Sequence, residues 1–211
     1  MEKDIPVVHM DVEVMEHKRF QKQLDFILEI DKEKNILRQT HLSNHGRREN
    51  DAEHAWHMAI MIYLLREYAN EEIDLAKTMM MALIHDVVEI DAGDTYAYDT
   101  KAQATQQERE ARAAERIFGM LPEEQKKEMM ALFYEFEEYE TPEARFAHVM
   151  DNFQPLLLNH SNGGNDWKEH NVAKSQIYKR NAKTGTGSVK IWEYMKNLIE
   201  ENIARGSVQE E

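Results

Sequence analysis

A His-Asp pair, His85-Asp86, is the feature of this sequence that most clearly indicates chemistry. It follows residues 79–84, an apolar run that is compatible with a helix packed in a core. Burying a neutral polar group without a partner costs about 2–7 kcal/mol, and burying an isolated charge costs more. We therefore expect both side chains to have a partner, and a divalent cation would serve for both.

His54 and Asp151 are the candidates to complete the ligand set with His85 and Asp86. Asp151 follows an otherwise apolar helical segment, so it is the expected long-range partner. Imidazole and carboxylate together suit Mn, Fe, Co, Ni or Zn better than Ca. The sequence contains no cysteine, which excludes thiolate sites. Because the ligand forms are neutral imidazole and carboxylate, we expect metal binding to weaken in acid.

Two further carboxylates follow the pair. Glu89 lies four residues after His85 and therefore on the same helical face. A carboxylate beside a metal can orient a water molecule or accept its proton. Asp94, just past Gly93, is a second acid/base candidate or an acceptor for a substrate hydroxyl. Each of the two alone is equally typical of a solvated helix end. We expect the following histidines to be ordinary core or surface residues: His41, His45, His57, His148, His160 and His170.

The elements that must position these residues are predicted to be helices. The chain of 211 residues has only four prolines and eight glycines, and its apolar residues recur with helical spacing. This predicts an all-α protein with one domain over residues 1–211, a core of about 18–203 and a frayed tail at 205–211. Residues 32–50 are predicted to be a connection followed by a polar loop. The predicted helices span about 16–31, 51–69, 72–90, 102–119, 122–138, 141–158, 168–181 and 188–203.

Charge and hydropathy exclude several classes of function. Lys and Arg number 26 and Asp and Glu 40, which gives a net charge of −14. This charge disfavours binding to nucleic acid polymers or anionic membranes. No apolar run approaches the ~20 residues that cross a bilayer, and the N-terminus lacks a signal-peptide pattern. We expect a cytoplasmic protein in which any phosphate site has local positive charge.

The order and spacing of these motifs resemble the HD-domain metal-dependent phosphohydrolase superfamily. The resemblance covers roughly residues 20–200 and is carried by segments 47–54, 84–94 and 147–151. It is closer to the bacterial 5′-deoxynucleotidase branch and its human HD-domain relatives. It implies an all-α HD-domain bundle of roughly seven to nine helices. It also implies one divalent transition metal (Co, Mn, Fe, Ni or Zn) bound by His54, His85, Asp86 and Asp151.

The resemblance also implies roles for residues around the metal. Glu89 would position the attacking water, and Asp94 matches a second functional aspartate. Arg47, seven residues before the first histidine, would lie near the substrate phosphate. The branch often has a tryptophan upstream of that arginine, but segment 37–42 has none, and Arg38 is the candidate phosphate contact there. Both arginines could instead form ordinary salt bridges. The preferred base and sugar stay open.

The implied reaction is release of phosphate from deoxynucleoside 5′-monophosphates by attack of a metal-bound water. The alternatives are an HD-type phosphodiesterase or nucleotide polyphosphate hydrolase, and a non-catalytic regulatory module stabilised by its metal. The branch tends to form homodimers. The candidate apolar face for a dimer consists of Trp192, Tyr194, Met195 and Leu198, although core packing explains these residues equally well.

Overall fold

The computed structural model describes residues 8–98 and 104–211, and this part of the chain is mostly helical. The all-α prediction is confirmed, and seven of the described helices have ten residues or more. The helices are α1 (Val8–Ile30), α2 (Asp51–Leu65), α3 (Leu75–Ile84), α4 (Glu89–Ala92), α5 (Gln106–Phe118), α6 (Glu123–Glu138), α7 (Pro142–Ser161), α8 (Asn165–Glu169), α9 (Lys174–Arg180), α10 (Thr184–Gly187) and α11 (Val189–Ala204).

A short hairpin stands where the sequence predicted a connection and a polar loop. Strand β1 (Leu37–His41) pairs antiparallel with β2 (Arg48–Asn50), and His41 lies opposite Arg48. The strands have five and three residues and are mostly polar, so no period-2 pattern marked them. The hairpin matters because β1 carries Arg38.

Capping residues set where the two helices that carry His54 and Asp151 begin. The Asn50 side chain accepts a hydrogen bond from the Glu53 amide at 2.9 Å, and the Glu53 carboxylate accepts one from the Asn50 amide at 3.2 Å. This capping box starts α2 and places His54 in its first turn. At the start of α7 the Thr141 side chain accepts a hydrogen bond from the Ala144 amide at 3.2 Å, and Pro142 occupies the first helical position.

The predicted helix over 72–90 is interrupted at the His-Asp pair. Helix α3 ends at Ile84, residues 85–88 form turns, and α4 begins at Glu89. Helix α4 ends at Gly93, whose φ of 75° lies in the region that favours glycine. The chain therefore changes direction twice around the pair. Its polar side chains lie at a break between helices rather than along one continuous helix.

Helix α7 lies at the centre of the packing. It contacts α2, α3, α6, α10 and α11, and its apolar side chains form much of the core. Phe146, Val149 and Met150 are fully buried, immediately before Asp151. The packing therefore places the Asp151 carboxylate beside the elements that carry the two metal-type histidines. Fully buried side chains that share this core include Met58, Ile62 and Met195.

Two predictions about the chain's surface are wrong. The tail is not frayed at 207–209, because Val208 is 4% exposed and the Gln209 amide donates to the Val172 carbonyl at 3.0 Å. Met195 and Leu198 cannot supply a dimer face, because they are 0% and 4% exposed in the core. Their burial follows from the packing of α11 against α7. A homodimer itself stays a prediction.

Helix α1 carries an apolar stripe that faces solvent. Its residues Phe20, Ile27 and Leu28 are exposed, at 58%, 57% and 71%. Apolar residues with helical spacing form such a stripe, but the spacing does not determine whether another element covers it. None of the described helices combines the length and apolar character that a membrane span requires.

Candidate metal centre

Four side chains from three elements converge where α2, the turn after α3, and α7 meet. The His54 Nε2 atom lies 3.2 Å from Asp151 Oδ1. The His85 Nε2 atom lies 3.1 Å from Asp86 Oδ2 and 4.0 Å from Asp151 Oδ1. Donor atoms of His54, His85 and Asp151 all lie within 4.8 Å of one another. The structure thus brings together the four residues predicted as metal ligands.

The outer nitrogen of each imidazole is occupied by an acceptor. His54 Nδ1 lies 3.0 Å from Gln154 Oε1, and His85 Nδ1 lies 2.9 Å from the Ala82 carbonyl oxygen. Because both partners are acceptors, Nδ1 must carry the proton in the neutral rings. The Nε2 lone pairs then face the carboxylates, as in metal-bound histidines that are oriented by a second hydrogen bond.

The donor set fits a divalent transition metal. His85 Nε2 is buried and has no hydrogen-bond partner. Two imidazole nitrogens and two carboxylates together are the ligands that such metals prefer. The neighbouring Gln154 is itself held by the Glu49 carboxylate, which accepts from Gln154 Nε2 at 2.6 Å. These supports make His54 a rigid, neutral ligand.

The electrostatics favour the ligand forms of three of the four groups. Burial, assisted by the Arg38 charge, lowers the pKa of His54 to about 4. Burial alone would raise the pKa of Asp86 and Asp151. The pKa of Asp86 is nevertheless held below its usual range by His85 and Arg38, and that of Asp151 by His54 and Arg180. These three groups are ready to bind a cation at neutral pH.

His85 is the exception. Burial by itself lowers its pKa, but the Asp86 and Asp151 carboxylates and the Ala82 carbonyl together outweigh burial and raise the pKa to about 9 in the metal-free protein. A metal must therefore displace a proton from His85, which links metal binding to pH.

Glu89 and Asp94 both line the cavity beside the cluster. Glu89 is 6% exposed, and burial together with the charges of Asp86 and Asp51 raises its pKa to about 12. Burial also raises the pKa of Asp94, while Arg38 opposes that shift. Neither carboxyl is a solvated helix end, which was the alternative reading.

The two arginines proposed from the sequence have different surroundings. Arg38 is buried in the cavity wall, where its Nη1 donates to Asp86 Oδ2 at 2.7 Å and to Asp51 Oδ1 at 3.3 Å. Arg47 lies on the exposed side of the hairpin and donates to Glu53 Oε2 at 2.8 Å. It does not line this cavity, so the assignment of Arg47 to the phosphate is not supported.

Another arginine, Arg180, lines the cavity, although it was not predicted from the sequence. Arg180 is at the end of α9, and its Nη2 lies 3.6 Å from Asp151 Oδ2. The only sequence signal was the basic pair Lys179-Arg180, which reads as an ordinary helix C-terminus. Its approach to Asp151 depends on how α9 packs near α7.

The cluster opens into a cavity of about 500 Å³. His85, Asp86 and Asp151 contribute to its wall, whereas His54 is fully buried behind them. His148 also lines the cavity, and its ring stacks on Phe136 with ring centroids 3.9 Å apart. The cavity wall also includes Tyr96, Tyr98, Glu137 and Trp167.

The fold and the cluster define a helical protein with a buried His/Asp centre of the metal-binding type. The HD domain family model matches residues 30–192, so this chain belongs to the HD domain family. Its curated relatives include the human 5′-deoxynucleotidase HDDC2, with 28% identity over 114 residues, which is 54% of each chain. The Dictyostelium discoideum 5′-deoxynucleotidase HDDC2 is 33% identical over 128 residues, 57% of this chain and 67% of that one.

Solved structures extend the similarity over more of the chain. The human match above spans only about half the length of that relative. A protein from Magnetospirillum magnetotacticum MS-1, described as a predicted metal-dependent phosphohydrolase, is 46% identical with a TM-score of 0.87. That match covers 91% of this chain and 96% of the other. A conserved hypothetical protein from Pyrococcus furiosus is 25% identical with a TM-score of 0.58, over 86% of this chain and 99% of the other.

Replacing Gln154 by alanine should weaken metal binding while leaving the four ligands in place. The substitution removes the acceptor that orients His54 and leaves the buried Glu49 without its amide donor. Loss of such outer partners typically costs 10–100-fold in metal affinity. We expect a loss of that order for Co²⁺, measured by titration of the metal-free protein. An unchanged affinity would contradict the role assigned to Gln154. The control is Gln176→Ala, at an exposed position of α9.

Glu33→Gln should change the pH dependence of stability. Glu33 is 6% exposed, and burial together with the Asp86 charge raises its pKa from 4.5 to about 7. A raised carboxyl pKa contributes stability below pH 4.5 that is lost as the pH rises through 7. Glutamine does not ionise, so the variant does not lose this stability as the pH rises. In metal-free protein, the variant should gain roughly 3 kcal/mol relative to wild type between pH 4.5 and 8, measured by denaturant unfolding. A constant difference across this range would refute the assignment.

Proposed function

We propose that this chain is a metal-dependent phosphohydrolase of the HD type that acts on deoxynucleoside 5′-monophosphates. The observation that carries the proposal is the placement of the His/Asp cluster in the wall of a 500 Å³ cavity that also contains Arg38 and Arg180. A cavity of this size is typical of small-molecule sites. The relatives named 5′-deoxynucleotidase and the phosphohydrolase structure support the same class.

His54, His85, Asp86 and Asp151 would hold one divalent transition metal, for which Co, Mn, Fe, Ni and Zn all suit the donors. When bound, such an ion supplies a Lewis acid that polarises a phosphoryl oxygen and lowers the pKa of water. The protein's own contribution is to keep His54 neutral and Asp86 and Asp151 ionised. Deprotonation of His85 completes the ligand set.

Arg38 and Arg180 are the groups we assign to the phosphate. A phosphomonoester must enter a protein with a net charge of −14, so local cations are required. Arg38 and Arg180 border the cluster from β1 and α9, one near Asp86 and the other near Asp151. Guanidinium groups can bind phosphate oxygens through two parallel hydrogen bonds. The pair would orient the phosphoryl group across the cluster.

Glu89 is the residue we assign to the attacking water. Its Oε2 atom is buried and has no hydrogen-bond partner, and the residue lines the cavity. Glu89 keeps its proton in the metal-free protein because burial and the Asp86 and Asp51 charges raise its pKa to about 12. It becomes a proton acceptor only when positive charge offsets those carboxylates. Glu89 would then orient the water and receive a proton at Oε2.

The remaining wall suits a nucleoside. Tyr96, Tyr98 and Trp167 line the cavity, and Tyr96 and Tyr98 pack edge to face with centroids 5.3 Å apart. Aromatic faces stack on nucleobases without requiring one base. Asp94 lies in the same wall and would accept a hydrogen bond from a sugar hydroxyl.

A substrate panel tests the proposal. Purified protein loaded with Co²⁺ or Mn²⁺ should release phosphate from deoxynucleoside 5′-monophosphates faster than from ribonucleotides, sugar phosphates or nucleoside triphosphates. Phosphate release is the measurement. Hydrolysis of triphosphates or cyclic diesters alone would favour the polyphosphate hydrolase or phosphodiesterase alternative. No turnover of any phosphate ester with metal bound would leave the regulatory alternative.

Glu89→Gln separates catalysis from structure. Glutamine is isosteric but cannot accept the water proton, and general-base groups typically contribute 10²–10⁴-fold. We expect kcat to fall at least 100-fold, with metal content and melting temperature retained. Glu137→Gln is the matched control, because it also replaces a carboxyl of the cavity wall by an amide, at an exposed position. Equal effects of the two substitutions would contradict a specific role for Glu89.

A further inference from the structure

A second group of metal-type side chains lies apart from the four-residue cluster. It consists of His41 at the end of β1, His45 in the turn of the hairpin, and Asp166 in α8. One donor atom from each lies within 4.8 Å of the other two. The group shares no residue with His54, His85, Asp86 and Asp151. In sequence the two histidines had no feature that marked them as ligands.

The Asp166 carboxylate is buried and held in a fixed orientation. It is 4% exposed, and its Oδ2 accepts from the His41 amide at 3.0 Å and from Asn162 Nδ2 at 3.4 Å. Its Oδ1 then faces both imidazoles, 2.6 Å from His41 Nδ1 and 3.7 Å from His45 Nε2. The two rings lie with their centroids 4.5 Å apart. Hydrogen bonds that orient a carboxylate in this way are typical of metal ligands.

The group is not satisfied by its own contacts. His45 Nε2 is buried and has no hydrogen-bond partner. Leaving such an atom unpaired costs about 1–3 kcal/mol. Among the described residues, the ion pairs of Asp166 are made with the two histidines and not with lysine or arginine. A buried carboxylate and an unpaired ring nitrogen therefore face each other across a gap of 3.7 Å.

We propose that His41, His45 and Asp166 form a second site for a divalent transition metal of the Zn²⁺ class. Two imidazoles and one carboxylate are three of the usual four zinc ligands, and water takes the fourth position. Ligands of one tetrahedral zinc lie about 3.3 Å apart, given bonds of about 2.0–2.1 Å. The distances from Asp166 Oδ1 to the two ring nitrogens, 2.6 and 3.7 Å, differ from this value by less than an ångström. The side chains of His41 and His45 are 16% and 34% exposed, so an ion can enter from solvent.

A metal bound at this site would cross-link two parts of the chain that are distant in sequence. Asp166 lies 125 residues after His41, and the metal would fasten the hairpin to α8. Arg38 is on β1, three residues before His41, and reaches the first cluster. Binding at the second site would therefore hold the strand that presents Arg38. This inference rests on the hairpin's geometry and does not depend on the proposed phosphohydrolase activity.

Metal stoichiometry tests the proposal without an activity assay. The chelated full-length protein is titrated with Zn²⁺, and bound metal is measured after removal of the excess. Wild type should bind two equivalents. His45→Asn should bind one, because asparagine tolerates the φ of 54° at this position but removes the imidazole. His170→Asn is the matched control: His170 stacks on Tyr96 outside both groups, and this variant should bind two.

His85→Ala separates the two sites. It removes a ligand of the first cluster only, so it should bind one equivalent, and Zn²⁺ should raise its melting temperature by mass action. The double variant His85→Ala/His45→Asn should lose both the metal and the shift. Wild type that binds one equivalent, or a count that His45→Asn leaves unchanged, would overturn the proposal. His41, His45 and Asp166 would then be a hydrogen-bonded cluster only. If His85→Ala does not fold, the comparison of wild type with His45→Asn decides alone.

Discussion

The interaction on which the site depends is the contact of one buried arginine with a surplus of buried carboxylates. Arg38 Nη1 donates to Asp86 and Asp51, and Glu89 lies nearby. A single guanidinium cannot balance them, so the protein keeps some of these groups protonated. The pKa of Asp51 is raised to about 8 and that of Glu89 to about 12, chiefly by burial. Asp86 and Asp151 alone are held ionised, and they are the two carboxylates placed for a cation.

This charge distribution explains why the surrounding elements are arranged as they are. Strand β1 of the hairpin places Arg38 in the cavity wall. Because the helix ends at Ile84, His85 and Asp86 both lie in the turn that follows it. Helix α7 adds Asp151 directly after the buried residues Phe146, Val149 and Met150. Because unpaired buried charge is costly, the hairpin, the turn after α3 and α7 each depend on the charged groups that the other two supply.

The sequence analysis was most accurate where chemistry and helical periodicity agreed. The all-α fold and the spatial convergence of His54, His85, Asp86 and Asp151 were both expected. It failed for residues whose role depends on long-range packing. Arg47 forms a surface ion pair with Glu53, while Arg180 approaches Asp151. Both are arginines near a predicted helix boundary, and nothing local distinguishes them.

The sequence by itself determined which helices form and which side chains require a partner, because periodicity, caps and polar residues in apolar runs are local properties. Only the tertiary structure decided which atoms meet. It turned the polar segment 37–50 into a hairpin, exposed the apolar stripe of α1, and placed His41 and His45 against Asp166. The physical reason is that burial and charge balance are properties of surroundings built from residues far apart in the chain, such as Arg38 and Asp86 or His41 and Asp166. Sequence spacing does not contain them.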